Sequence, residues 1–584
     1  LATFMLRLFP ASITLNIMTL SGLTVAIGRV VDDSIVVLEN IFRHLQEGED
    51  KTHALIEGTR DVSVAIFAAT VITVVVFLPL GLTGGIIGEF FLPFGLAVTY
   101  SLMSSFIVAI TVVPVVAYLL LDRNEIADDE NSFLERLYEP ALKWALANGR
   151  NSIIVLVTAT ISLVIGLGLF ATRPLAFLPS FGEPQIAVSV NLPAGTKIVD
   201  TNAVVVEFEN YLAATFTADQ IKSVSTIIGG GGGLESLILG SSSVSENVGT
   251  ITIGVEHPGE LDTLAGEIRT EAERIFGQEN VTVSAASLSE QGFGGFALVL
   301  SGEQADLQAV NADIVNVLNN VDGLANVSSN VAADASAETA PVTFIRVDLQ
   351  SAARFTGELE TNNTIGVTNL AKQAIQDYLD TNNLADRITV SEGFESRQQT
   401  EGFAGLGLAM GIAIVLVILI LIVTFGSFVH WLDIILSIIV APVGAAILLT
   451  LTNRVLGISA MIGLLMLIGI VVTNAVVLID RVQSNRRERH MELRAALLEA
   501  GERRLRPILM TALATIGALV PLAVGLSEGA IIASELGTVV IGGLFSSTLL
   551  TLIVVPVAYR LLDPLHRRLA INRKDRETSD KVGV

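Results

Sequence analysis

The chain has 584 residues, 51% hydrophobic and 16% charged, a balance that excludes an ordinary soluble globular protein and points to a polytopic membrane protein. Its net charge of −23 is concentrated: between residues 175 and 397 acidic side chains outnumber basic ones roughly three to one, which argues for a soluble insert and against a nucleic-acid face. No cysteine is present, so disulfides and thiolate metal sites are excluded.

In chain order, residues 1–10 read as the end of a membrane helix and the sequence as an N-terminally truncated piece, since the apolar start is too short to span. The first set of membrane helices occupies 11–121, with full spans expected at 17–42, 62–82 and 90–121, the last ending at Val113-Pro114-Val115. Residues 122–150 form a charged linker on the cytoplasmic side, in which 133–147 has the spacing of an amphipathic surface helix, and 151–173 carries the fourth span.

Residues 174–400 alternate strand and helix. Strand periodicity at 185–191, 221–228, 250–255, 281–287, 296–301, 325–331, 342–348, 353–358 and 388–391 is interrupted by helical periodicity at 197–213, 261–276, 305–318 and 364–379. Repeated units of this kind predict small α+β sandwiches of the split βαβ, ferredoxin-like type. Five more spans are expected in 401–565, followed by a basic tail, 566–584. Lys and Arg cluster at 43–60, 481–506 and the tail, which places those loops in the cytoplasm and the 174–400 domain outside it.

Charge inside the first span is the informative departure. Gly28-Arg29-Val30-Val31-Asp32-Asp33 puts an arginine and two carboxylates near the middle of a candidate membrane helix. Each such charge costs about 2.5–3.5 kcal/mol on insertion scales and normally faces a bundle interior with a partner. Arg29 precedes the two aspartates by three and four residues, within reach of both. Two carboxylates in one low-dielectric site cannot both ionise cheaply, so one is expected to carry a proton that it can exchange. The alternative is a static Arg–Asp clasp that holds helices together.

The two membrane blocks repeat each other. Gly28 to Glu39 aligns with Gly469 to Asp480, Pro79 with Pro521, and Val113-Pro114-Val115 with Val555-Pro556-Val557, in the same order and orientation. A parallel repeat of this kind implies a pseudo-twofold axis along the membrane normal, and it sets the Asp pair opposite Thr473-Asn474.

These residues resemble the resistance–nodulation–division (RND) superfamily. The resemblance rests on Val30 to Asn40, on Gly469 to Asp480, on Arg504-Leu505-Arg506-Pro507-Ile508-Leu509-Met510-Thr511, and on Pro193-Ala194-Gly195-Thr196. It implies the C-terminal two-thirds of a proton-driven exporter of hydrophobic or amphiphilic compounds, multi-pass in a bacterial plasma (inner) membrane. It also implies a homotrimer, a periplasmic adaptor as a possible partner, protons and membrane lipid as further partners, no cofactor, and no enzymatic reaction. The proton relay it implies comprises Asp32, Asp33, Arg29, Thr473, Asn474, Arg504 and Thr511. Three features depart from the superfamily pattern: Thr473 stands where the better-studied drug pumps carry lysine, the domain is shortened around residues 332–341, and the first porter half is missing. Arg29 is expected to supply the counter-charge, as in a Gram-positive-like subgroup. The last two departures leave a non-transporting or degenerate scaffold, or a relative that moves lipid or protein, as alternatives.

Other features carry less. Gly229 to Gly233 lacks the Gly-Lys-Ser/Thr of a phosphate loop. Gly292-Phe293-Gly294-Gly295-Phe296 is either a substrate-side loop, with Phe293 and Phe296 as contacts, or the start of a strand. Six histidines form no metal-ligand spacing, and residues 174–400 contain no methionine, which disfavours soft-metal cargo.

Overall fold

The computed structural model describes residues 13–120, 133–176, 185–193, 195–217, 219–229, 246–256, 261–278, 280–286, 296–331, 345–347, 349–359, 361, 363–426, 430–525 and 531–569. The expectations for residues 1–10, for Phe293, for the shortened loop at 332–341 and for most of the tail lie outside them. The chain divides into two units, residues 1–173 with 404–584, and residues 174–403.

The first unit is helical. Its first block holds α1 (Ile17–Gln46), α2 (Lys51–Phe77), a 3-10 turn (Leu78–Leu82), α3 (Gly85–Leu120), α4 (Phe133–Ala145) and α5 (Gly149–Ala171). A capping box starts α1, in which Thr19 N–H donates to Asn16 Oδ1 at 2.9 Å and Asn16 N–H to Thr19 Oγ1 at 2.8 Å. The amphipathic helix predicted at 133–147 forms as α4, with Leu142 and Ala145 fully buried and Phe133, Leu137 and Trp144 exposed.

Among the described residues, eight helices are long and apolar enough to cross a membrane, matching eight of the nine predicted spans. The ninth, α1, has the length but carries Arg29, Asp32 and Asp33 in its apolar stretch. Pro114, expected at the end of the third span, does not end its helix. Pro114 lies inside α3 and Pro507 inside α14 (Leu493–Val524), because neighbouring helices can satisfy the carbonyl that a proline leaves without a donor. Pro442 does interrupt its span, dividing it into α11 (His430–Val440) and α12 (Pro442–Leu451).

The repeat is visible in packing. Helix α1 packs on α3 and on α14, while its counterpart α13 (Ile458–Arg487) packs on α15 (Ile531–Leu569) and on α2. Aligned glycines make the two close crossings. A Cβ on Gly28 would lie 3.0 Å from Thr515 Cα, and one on Gly469 would lie 3.1 Å from Thr73 Cγ2. Thr73 and Thr515 are themselves related by the spacing that relates Pro79 to Pro521. Helix α13 is the centre of the unit: 89% of its span is buried, against 11% for α5. On α5 the small residues Ser152, Ala159 and Gly166 face inward and Ile153, Ile161 and Val164 outward, the reverse of a water-facing helix.

The second unit contains two sheets of one topology. In the first, β1 (Gln185–Asn191), β2 (Ile221–Ile228), β3 (Val248–Val255) and β4 (Val281–Ala286) lie in the order β2-β3-β1-β4, all antiparallel. Helices α6 (Ile198–Thr215) and α7 (Leu261–Phe276) connect β1 to β2 and β3 to β4. In the second, β5 (Phe296–Ser301), β6 (Leu324–Ser329), β8 (Gln350–Leu359) and β9 (Thr389–Glu392) lie in the order β6-β8-β5-β9. Here α8 (Gln304–Asn319) and α9 (Thr364–Thr381) make the connections, and the short β7 (Ile345–Val347) hairpins onto β8. The four predicted strand–helix–strand units thus pair into two split βαβ sandwiches. Each sheet buries one face under its helices: Ile186, Val188, Ile251, Phe208 and Ile268 in the first, Leu298, Phe355, Ile314 and Ile375 in the second. Full burial of each such side chain contributes about 1.5–3 kcal/mol. Helix α10 (Phe394–Phe425) follows β9.

Candidate functional site

The expensive charges of α1 have the partners that burial requires. Arg29, Asp32 and Asp33 are 4%, 6% and 3% exposed. Arg29 forms an ion pair with Asp32 one turn along the helix, and its Nη2 donates to Thr473 Oγ1 on α13 at 3.0 Å. Asp33 points to a different neighbour: Ser105 Oγ on α3 donates to Asp33 Oδ2 at 2.8 Å. The 100° step between successive helix positions separates the two carboxylates in this way, Asp32 onto Arg29, which is itself bonded to α13, and Asp33 toward α3. Thr515 Oγ1 on α14 donates to Gly28 O at 3.1 Å, which fixes the crossing just before Arg29.

Arg29, Asp32, Asp33 and Thr473 line a cavity of about 310 Å³ that also reaches Asn40, Arg43, Asp61, Asp480, Arg481 and Arg504. Asp61 at the far end is half exposed, its side chain at 49%, so the cavity joins the buried carboxylates to the surface. Arg504, predicted at a mouth, interacts electrostatically with Glu39 and Asp480, the last aligned pair of the repeat segment.

The residue pattern of both membrane blocks matches the AcrB/AcrD/AcrF family, over residues 1–337 and 313–563. The chain belongs to this family of RND transporters. It is 32% identical to the swarming motility protein SwrC of Bacillus subtilis (strain 168), over 97% of this chain and 61% of that protein. It is 26% identical to the multidrug resistance protein MdtC of Pantoea ananatis (strain AJ13355), over 96% of this chain and 62% of that protein. The chain spans about three fifths of the length of these curated relatives. With eight apolar spans and this family, it is a multi-pass plasma-membrane protein.

Of the RND relay residues expected from sequence, Arg29, Asp32, Asp33, Thr473 and Arg504 line one cavity. Asn474 and Thr511 are buried, 8% and 5% exposed, but are not in its lining. The Thr511 hydroxyl donates to Ile508 O in its own helix, at 3.1 Å. Phe296 begins β5 and is 2% exposed in the core of the second sheet, the packing role that was the alternative to substrate contact. Sequence reading missed Ser105, Thr515, Glu39 and Asp480. The repeat alignment held the signal for the last two, which are equivalent positions. Nothing in a serine-rich apolar helix distinguishes Ser105 from Ser101 or Ser104.

Proposed function

We propose that this chain is part of a proton-coupled exporter of hydrophobic or amphiphilic compounds, with Asp33 as the proton-exchanging group and Arg29–Asp32 as its fixed counter-pair. What carries the reading is the buried Asp33 at one end of a polar cavity whose other end holds the half-exposed Asp61. Asp32 has a permanent cationic partner in Arg29. Asp33 has a neutral one in Ser105, whose hydroxyl can donate to a carboxylate or accept from a carboxylic acid. Of the two, Asp33 is the carboxyl that can change protonation without breaking an ion pair.

Arg43, Arg481 and Arg504 line the outer part of the cavity, through which water would carry protons. Protonation would reset the contacts of α1 with α3 and α13, and repacking of one repeat against the other is how parallel-repeat transporters alternate access. In this reading the cavity opens to the cytoplasm, residues 174–400 lie outside, and the working protein is a homotrimer with a periplasmic adaptor. MdtC's name, a multidrug resistance protein, favours drug-like cargo.

The test is proton-gradient-driven dye export from vesicles, with any upstream half of the protein restored. Asp33→Asn at unchanged expression is expected to lower export at least tenfold. Undiminished export would refute the role of Asp33. No export from the unaltered protein would favour a non-transporting scaffold.

A further inference from the structure

A second cluster of ionisable side chains lies where α1 turns into α2. Backbone bonds shape this turn: Glu47 N–H donates to Arg43 O at 3.0 Å, Gly48 N–H to Leu45 O at 3.1 Å and Glu49 N–H to His44 O at 3.2 Å. Gly48 takes a φ of +90°, which a side chain would resist. The turn folds Glu49 back onto the last turn of α1, against His44.

His44 is 8% exposed. Its Nε2 lies 3.2 Å from Asp61 Oδ2 and 3.3 Å from Arg43 Nη2, and Arg43 and Asp61 are themselves 3.7 Å apart. Its Nδ1 is buried and makes no hydrogen bond, although Glu49 Oε2 stands 2.9 Å away. The same Glu49 oxygen is 3.0 Å from Nδ1 of His53. One donor atom each from His44, Glu47 and Glu49 fits within 4.8 Å.

A carboxylate oxygen this close to Nδ1 calls for positive charge on the ring nitrogen, supplied either by a proton, as in an ion pair, or by a bound metal cation. Asp61 supplies what a metal-binding histidine needs on its far side: a carboxylate that takes Nε2–H and leaves the Nδ1 lone pair for the metal. One imidazole with two carboxylates suits zinc-type divalent cations, whereas calcium and magnesium prefer all-oxygen sets. We propose that His44, Glu47 and Glu49 bind one zinc-type divalent cation at the α1–α2 turn, with Asp61 orienting the imidazole. Asp61 and Arg43 also line the outer end of the charged cavity, so the cation would sit one hydrogen bond from that opening. The site stands independently of the transport reading.

The test is calorimetric titration of Zn²⁺ into the full chain in detergent, with Co²⁺ absorption as a second readout of ligand geometry. Expected are one site in the unaltered protein, its loss in His44→Ala, and at least a tenfold weakening in Glu49→Gln. Asp61→Asn, which removes only the orienting carboxylate, is expected to weaken binding about 10–100-fold. The Glu49 side chain is 31% exposed, so Glu49→Gln should fold, and its melting temperature without metal checks this. Zn²⁺ binding that is equal in the unaltered protein, His44→Ala and Glu49→Gln would overturn the proposal and leave the contact as an ordinary pairing of His44 with Glu49.

Discussion

Helices α1 and α13 occupy equivalent places in the two repeats and cross their neighbours in the same way, yet they carry different chemistry. Both approach a partner through an aligned glycine against an aligned threonine, Gly28 on Thr515 and Gly469 on Thr73. Where α1 has Arg29, Asp32 and Asp33, α13 has Ile470, Thr473 and Asn474. The charged copy depends on the neutral one, because Arg29 donates to Thr473, the counterpart of its own ion-pair partner Asp32. The repeated backbone supplies a symmetric frame, and a difference of three side chains makes one copy the candidate relay and the other its hydrogen-bonding wall.

The largest effect should come from Asp33, the carboxylate outside the Arg29–Asp32 contact ion pair. Asp33→Asn removes the exchangeable proton and should abolish gradient-driven export, while the equivalent neutral position, changed as Asn474→Ala, should cost no more than severalfold in the same vesicle assay. If the two fall equally, the asymmetry of the copies is not functional.

The shared frame can be broken at either glycine. Gly28→Ala brings a methyl against Thr515 backbone and should cost about 1–3 kcal/mol, read as a lowered melting temperature in detergent. Gly469→Ala meets first the Thr73 methyl group, which can move, and gains about 1 kcal/mol in helix propensity, so its loss should be less than half as large. Equal losses would mean the two crossings are more alike than their contacts suggest.

The links between the copies come next. Thr473→Val leaves a buried Arg29 donor without its 3.0 Å acceptor and should destabilise by about 1–3 kcal/mol, while Thr473→Ser should restore most of this. Ser105→Ala leaves Asp33 without its 2.8 Å donor, and the pH at which export is half-maximal should shift while expression holds. No movement in that profile would separate Ser105 from proton exchange.

The smallest effect lies in the sheet-containing unit, among whose described residues no charged side chain is buried like those of α1. Tyr378 donates to Asp313 at 2.7 Å, and that bond pushes its phenol up to about 12. A raised folded value means the contribution is present below the unfolded tyrosine value of about 10 and is lost as pH climbs through about 12. Because Tyr378 is largely solvated, the contribution should be a few tenths of a kcal/mol. Urea titrations at pH 9 and 12 should show Tyr378→Phe abolishing this part of the pH dependence.

Much of the candidate site was legible before the fold. An arginine and two aspartates within one turn of an apolar helix require partners wherever they sit, and the repeat alignment nominated Thr473 as a facing residue. Ser105 was not legible, because a serine is tolerated in any apolar helix and only the approach of α3 decides which one meets a carboxylate. The arrangement of His44, Glu47, Glu49 and Asp61 was equally hidden. Those side chains are spread over a helix end, a turn and the next helix, at no recognisable metal spacing, and converge only because the turn at Gly48 folds Glu49 back.

By itself the sequence determined the membrane class, the positions of the spans, the strand–helix order of the insert and the internal repeat, because hydropathy and periodicity are local properties of the chain. It did not determine that four strand–helix–strand units close into two sheets, since strand pairing depends on contacts distant in sequence. Nor did it determine that α13 is enclosed while α5 faces outward, for both read as equally apolar and only packing assigns their faces. The division of labour between Asp32 and Asp33 is the sharpest case. Adjacent, identical residues are separated by a 100° turn of the helix, and while helix spacing put Arg29 within reach of both, only tertiary structure brings Ser105 to Asp33 and holds Arg29, paired with Asp32, through Thr473.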